Sequence, residues 1–134
     1  MGAEHMQIGE VAERTGLSLR TIRYYDEMGI ACPTARSQGG FRLYSEGDVE
    51  RLQLVKRMKP LGFPLEDTRE LLGILDRLEA GGADGPERRG LLERLEEYRS
   101  AAQARSVELR KRLEAAEDFT ARLRSAQAEH GERT

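Results

Sequence analysis

Apolar residues fall at helical spacing in four short stretches and then along one long one. Ile8, Val11 and Ala12 stand at i, i+3, i+4, which predicts a short helix over Ile8–Thr15. Gly16 stops it and Leu17 supplies an apolar contact. Ser18 suits an N-cap, its hydroxyl taking a free backbone N–H of a second helix over 19–28. That helix carries Leu19, Ile22, Tyr25 and Met28, and Gly29 closes it. From Ile30 to Tyr44 the pattern changes. Pro33, Gly39 and Gly40 punctuate it, and Phe41-Arg42-Leu43-Tyr44 alternates, which predicts a hairpin or wing. Ser45-Glu46-Gly47-Asp48 has the form of a capping box and opens a third helix with Val49, Leu52, Val55 and Met58 on one face. Pro60 and Gly62 end it. A fourth helix is expected over 64–79, with Leu65, Leu71, Leu72, Ile74 and Leu75 apolar.

The run Ala80-Gly-Gly-Ala-Asp-Gly-Pro86 breaks the pattern and reads as a hinge at 80–86. Over 87–129 only Gly90 interrupts helix. Steps of four and three reach Leu91, Leu95, Tyr98, Ala102, Arg105, Leu109, Arg112, Ala116, Phe119, Leu123 and Ala126, a coiled-coil seam with two polar interruptions. Roughly forty residues of helix span about 60 Å, more than the head can cover. A second copy of the same helix is the simplest cover. The expected fold is mainly α: a winged helix-turn-helix head over 1–79 with a small β-hairpin wing, a hinge over 80–86, a dimerisation helix over 87–129 and a tail over 130–134.

Composition narrows the field. The 134 residues are 34% charged, 38% hydrophobic and 5% aromatic, without Trp, so one large core is excluded while long helices are not. No apolar run is long enough for a membrane span, and the first residues lack the form of a signal peptide. Cys32 is the single cysteine, which excludes a disulfide framework within one chain. These features predict a soluble, cytoplasmic protein. The formal charge of −2 is unevenly spread. Between Arg14 and Tyr44 stand five arginines against Asp26 and Glu27 alone, compatible with a nucleic-acid partner.

Two short helices joined by a Gly-containing turn follow the helix-turn-helix plan, whose second helix enters a major groove. Arg20, Thr21, Arg23 and Tyr24 lie off its apolar face. Arginine bonds guanine edges or phosphates, and Thr and Tyr hydroxyls reach phosphates. Arg36 and Arg42, in the wing, are placed for the flanking backbone.

These residues also carry a family resemblance. The run from Ile8-Gly-Glu-Val-Ala through Thr21-Ile-Arg-Tyr-Tyr-Asp-Glu-Met-Gly29 resembles the opening of the MerR family of bacterial transcription regulators. Pro33-x-x-Arg36, Gly40-Phe-Arg-Leu-Tyr44, Asp48-Val, Arg51-Leu and Leu61-Gly-Phe-Pro-Leu-Glu extend it over residues 7–75. The resemblance implies a winged helix-turn-helix head, a second helical wing and a long helix that dimerises as an antiparallel coiled coil. It implies homodimers on near-palindromic operators in double-stranded DNA, within promoters whose two core elements lie too far apart. Such regulators distort that DNA so that RNA polymerase can use it. The implied DNA contacts are Arg20, Thr21, Arg23 and Tyr24 of the recognition helix, with Ser18 at its start, Arg36, Arg42 and Tyr44 of the wing, and Lys59 of the second wing. The dimer contacts expected from the apolar seam are Leu91, Leu95, Tyr98, Ala102, Leu109, Ala116, Phe119 and Leu123.

Three departures qualify this. Phe41 stands where the family commonly has Tyr. Pro60 and Pro64 bracket the second wing. Cysteines that metal-sensing members carry around the long helix are missing, so thiolate metal sensing and an iron–sulfur cluster are disfavoured and no cofactor is expected; the sequence ends soon after the helix, so a large drug-binding domain is not expected either. A small apolar or amphipathic effector, held near the hinge with Tyr98 as a lining residue, is the alternative for Tyr98 to plain coiled-coil packing. Tyr25 fits the core better than the surface, Arg14 a solvated face, and Cys32 an inert position. With both histidines near the termini, no catalytic Ser/His/Asp or Cys/His set exists, and the reading is not an enzyme. A second functional class stays open: an architectural DNA-bending protein or coiled-coil adaptor without a dedicated effector.

Overall fold

The computed structural model describes residues 5–131. The order of elements is α1 (Ile8–Thr15), α2 (Leu19–Glu27), β1 (Ala35–Arg36), β2 (Arg42–Leu43), α3 (Glu46–Met58), a single 3-10 turn (Lys59–Leu61), α4 (Leu65–Ala80) and α5 (Gly85–Gly131).

Local chemistry sets the boundaries. Gly16 takes φ 74° after α1 and donates its N–H to the Ala12 carbonyl. Buried Thr15 binds its own helix, its hydroxyl donating to the Val11 carbonyl at 2.8 Å and accepting from the Leu17 N–H. Ser18 caps α2 by accepting from the Thr21 N–H. At the other end Gly29 N–H donates to the Asp26 carbonyl and Ile30 N–H to the Tyr25 carbonyl, which is the Schellman arrangement with a left-handed glycine. Ile30 thereby turns into the core. At α3 the capping box of Ser45 and Asp48 is complete.

The hairpin pairs Ala35 with Leu43 and Arg36 with Arg42, antiparallel. Its tip closes through Gly40 N–H to the Ser37 carbonyl, with Gly40 at φ 84°. Met6 adds a bridge to Tyr44 on the other side through two backbone hydrogen bonds of 2.7 and 2.8 Å. Asp48 ties this wing to α3: one carboxylate oxygen accepts from the Thr34 N–H, the Thr34 hydroxyl and the Ser45 N–H.

One core joins the head. Val11 of α1, Ile22 and Tyr25 of α2, Tyr44, and Val49, Leu52 and Val55 of α3 meet Leu72 of α4. Side chains of α3 also satisfy carbonyls that α1 leaves open at its end: Gln53 donates to the Arg14 carbonyl at 3.1 Å and Lys56 to the Thr15 carbonyl at 2.6 Å. Arg14 itself is not merely solvated; it grips Glu46 in a bidentate pair at 2.6 and 2.8 Å. Beyond the turn, Arg94 pairs with Glu70 and Arg77 with Glu87, fastening the start of α5 to α4.

Two sequence boundaries move. The expected hinge at 80–86 is shorter: Ala80 closes α4, and Gly85 and Pro86 already belong to α5. Proline in a first helical turn loses nothing, because its missing N–H has no helical acceptor there. Within the expected tail, His130 and Gly131 continue α5, while residues 132–134 lie outside the described residues, as do residues 1–4.

The chain forms two compact units, Met1–Leu95 and Glu96–Thr134. The described residues of the second are all helix. In it Tyr98 is buried and Ala102 half-buried, whereas Leu109, Ala116, Phe119 and Leu123 are exposed, Phe119 to 62%. Leu91 and Leu95, at the end of the first unit, are half-buried. Among the described residues no helix is long and apolar enough to cross a membrane.

Candidate nucleic-acid interface

The two faces of α2 divide the labour. Ile22 and Tyr25 point inward at 0% and 6% exposure. Arg20, Arg23 and Tyr24 are exposed on the outer side, and Thr21 is half-buried. Tyr24 and Tyr25, adjacent in sequence, part accordingly, their rings tilted with centroids 5.8 Å apart. Among the described residues neither Arg20 nor Arg23 forms an ion pair, so their guanidiniums retain all their donors. Ser18 is exposed, but its hydroxyl is engaged in the cap and donates to the Thr21 hydroxyl at 2.9 Å. Thr21 keeps its own proton to give.

The wing is braced against α2 by a residue that sequence reading passes over. Asp26, its side chain 8% exposed, receives Arg42 Nε at 2.6 Å and Arg36 Nη2 at 2.8 Å on the same oxygen. Burial pushes this carboxyl up, and the hydrogen bonds and charges of Arg42 and Arg36 outweigh it, holding it below the usual aspartate range. An acidic residue inside an arginine-rich stretch is the signal that could have found it.

Lys59 is exposed on the 3-10 turn. It lines a cleft of about 270 Å³ together with Tyr24, Tyr25, Val55, Phe63, Leu65 and Thr68, so the end of α3 and the outer side of α2 share one edge of the head. Pro60 and Pro64 do not disrupt this second wing: Pro60 sits early in the turn and Pro64 directly precedes α4.

Tyr44 requires a correction. The family resemblance implies a DNA contact from the wing, but the Tyr44 side chain is 0% exposed and belongs to the core. The Tyr44 ring joins the buried cluster of Met6, Val11, Ile22 and Leu52, so it anchors the base of the wing to the core instead of facing outward. Its buried hydroxyl has no hydrogen-bond partner among the described residues, and burial pushes its pKa up to about 12. Cys32 is exposed; partial burial, then Asp26, raises its thiol pKa, and it donates weakly to the Asp26 carbonyl. Among the described residues no three His, Cys, Asp or Glu are grouped to hold a metal ion.

A helix-turn-helix whose second helix presents unpaired arginines, flanked by a hairpin and a second basic turn, defines the DNA-binding head of a winged regulator. Residues 6–73 match the model of the MerR HTH family regulatory proteins, and the chain belongs to that family. It is 45% identical over 74 residues to the mercuric resistance operon regulatory protein of Bacillus cereus, covering 55% of this chain and 56% of that one. It is 39% identical over 104 residues to the HTH-type transcriptional regulator ZntR of Escherichia coli K12, covering 77% and 70%. The first three curated relatives are matched over 56%, 60% and 47% of their own length. Among solved structures it resembles HiNmlR, described as a MerR family regulator lacking the sensor domain, bound to promoter DNA, with a TM-score of 0.71, 26% identity, and 92% and 94% of the two chains covered.

Proposed function

We propose that the chain is a sequence-specific transcription regulator that binds a near-palindromic promoter operator as a homodimer. The observation that carries this reading is the outer side of α2, where Arg20 and Arg23 are exposed without an ion-pair partner among the described residues. In this reading α2 enters the major groove, where an arginine reads guanine edges bidentately. Thr21 and Tyr24 hold phosphates from the same helix, and Arg36, Arg42 and Lys59 hold the backbone on either side. Leu109, Ala116, Phe119 and Leu123 dimerise with the same helix of a second chain, antiparallel. The resemblance to a regulator bound to promoter DNA supports this over the adaptor reading.

RNA polymerase is the further partner, engaged at the distorted promoter. Any effector is a small apolar or amphipathic molecule rather than a thiophilic metal, because Cys32 is the one thiol and stands in the loop before the wing. Footprinting on DNA upstream of its own and neighbouring genes tests the reading. One protected near-palindrome across a promoter spacer supports it, and indifference to sequence contradicts it.

A further inference from the structure

We propose that Asp26 is a positioning residue of the DNA-binding surface, one that fixes the wing arginines to the recognition helix before DNA arrives; this rests on the DNA-binding reading above. Asp26 lies on α2, which is the element read as entering the groove, and Arg36 and Arg42 lie on the two strands of the hairpin. The three meet at a single carboxylate oxygen, at 2.6 and 2.8 Å. A carboxylate on a DNA-facing head is otherwise a liability, since it repels phosphates. Here its charge is covered by two guanidiniums and its side chain is nearly withdrawn from solvent.

The attachment uses one donor of each arginine. Arg42 gives only Nε and Arg36 only Nη2, so both Nη groups of Arg42, and Nε and Nη1 of Arg36, have no partner among the described residues. Each guanidinium is planar, so fixing one edge fixes the direction of the remaining donors. Two long, rotamer-rich side chains are thus ordered within the free protein. The cost of ordering them is removed from the binding step, which is how preorganisation raises affinity. The pairs also lock the register of a hairpin whose strands are only two residues each. Charge-assisted hydrogen bonds are the stronger class and suit this task.

Asp26→Asn keeps the side-chain shape and removes the charge. This variant and the wild type, both as the full chain, are compared on the promoter fragment the wild type protects and on scrambled DNA. The expected result is a loss of about tenfold on the promoter fragment, from the coupling typical of contacting groups, with a comparable loss on scrambled DNA, because the wing arginines hold phosphates rather than bases. In an Arg36→Ala, Arg42→Ala background the same substitution produces no further loss. In the free protein, the Arg42 Nε–H is a slowly exchanging NMR signal that Asp26→Asn abolishes. Promoter affinity that is unchanged or raised by Asp26→Asn makes Asp26 only a repulsive charge, and an equal loss without the arginines makes it only a folding residue; either overturns the proposal. A fast-exchanging Arg42 Nε–H in the wild type overturns it without reference to DNA. A wild type indifferent to DNA sequence, with the slow signal present, removes the regulator reading and leaves the pairing as architecture alone.

Discussion

Lys56 Nζ donates to the Thr15 carbonyl at 2.6 Å and stands where a Cβ on Gly16 would come within 2.9 Å of it. The turn between α1 and α2 is therefore held from α3, forty-one positions on in sequence from Thr15. Gly16→Ala meets two costs. The left-handed φ of 74° disfavours any Cβ by about 1–2 kcal/mol. Moving Lys56 aside gives up a hydrogen bond of about 1 kcal/mol. Urea unfolding is expected to show a loss of about 2 kcal/mol in all, and a change below about 0.5 kcal/mol contradicts the clamp.

Tyr44→Phe tests the corrected place of that residue. Removing a buried hydroxyl without a partner relieves a desolvation cost of about 1–3 kcal/mol, so stability is expected to hold or rise. Affinity for the operator should stay within about twofold, well under the tenfold step that corresponds to about 1.4 kcal/mol. A clear loss of binding with the fold intact places the hydroxyl on DNA after all.

The sequence reveals what short-range bonds build. The Ser18 cap, the Gly16 stop and the Ser45–Asp48 box each close within four residues, and each is legible as a motif. The outward arginines of α2 are legible because helical spacing assigns faces. Asp26 and its arginines are not, since ten and sixteen positions separate them and only the folded hairpin joins them. Tyr44 is misplaced for a related reason: the family resemblance groups it with the wing arginines, whereas its ring belongs to a core built with Val11, Ile22 and Leu52, residues that only the folded head brings to it. The apolar steps of α5 are plain, but Pro86 reads as a break although a first helical turn accepts it.

Arg20 and the wing arginines should fail differently. Arg20→Ala is expected to cost about 1–3 kcal/mol on the operator and to relax preference at one position in each half-site. Arg36→Ala should weaken binding to all sequences alike, and the slope of log K against log salt should flatten by about 2 per dimer. Equal losses for Arg20→Ala on operator and scrambled DNA would make Arg20 a phosphate contact.

Leu109 and Leu123 are 42% and 52% exposed in the single chain. Changing both to Asp puts charge into the proposed dimer seam, and light scattering should then report monomers with the head still folded by NMR. A wild-type chain that remains monomeric at micromolar concentration removes the coiled-coil dimer.

Footprinting of the full-length protein on DNA upstream of its own and neighbouring genes tests the central claim most directly. The account predicts a single protected near-palindrome of two half-sites spanning a promoter spacer, lost together with binding when Arg20 and Arg23 are both replaced by Ala. Protection that spreads without preference, or affinity equal on promoter and scrambled DNA, contradicts it.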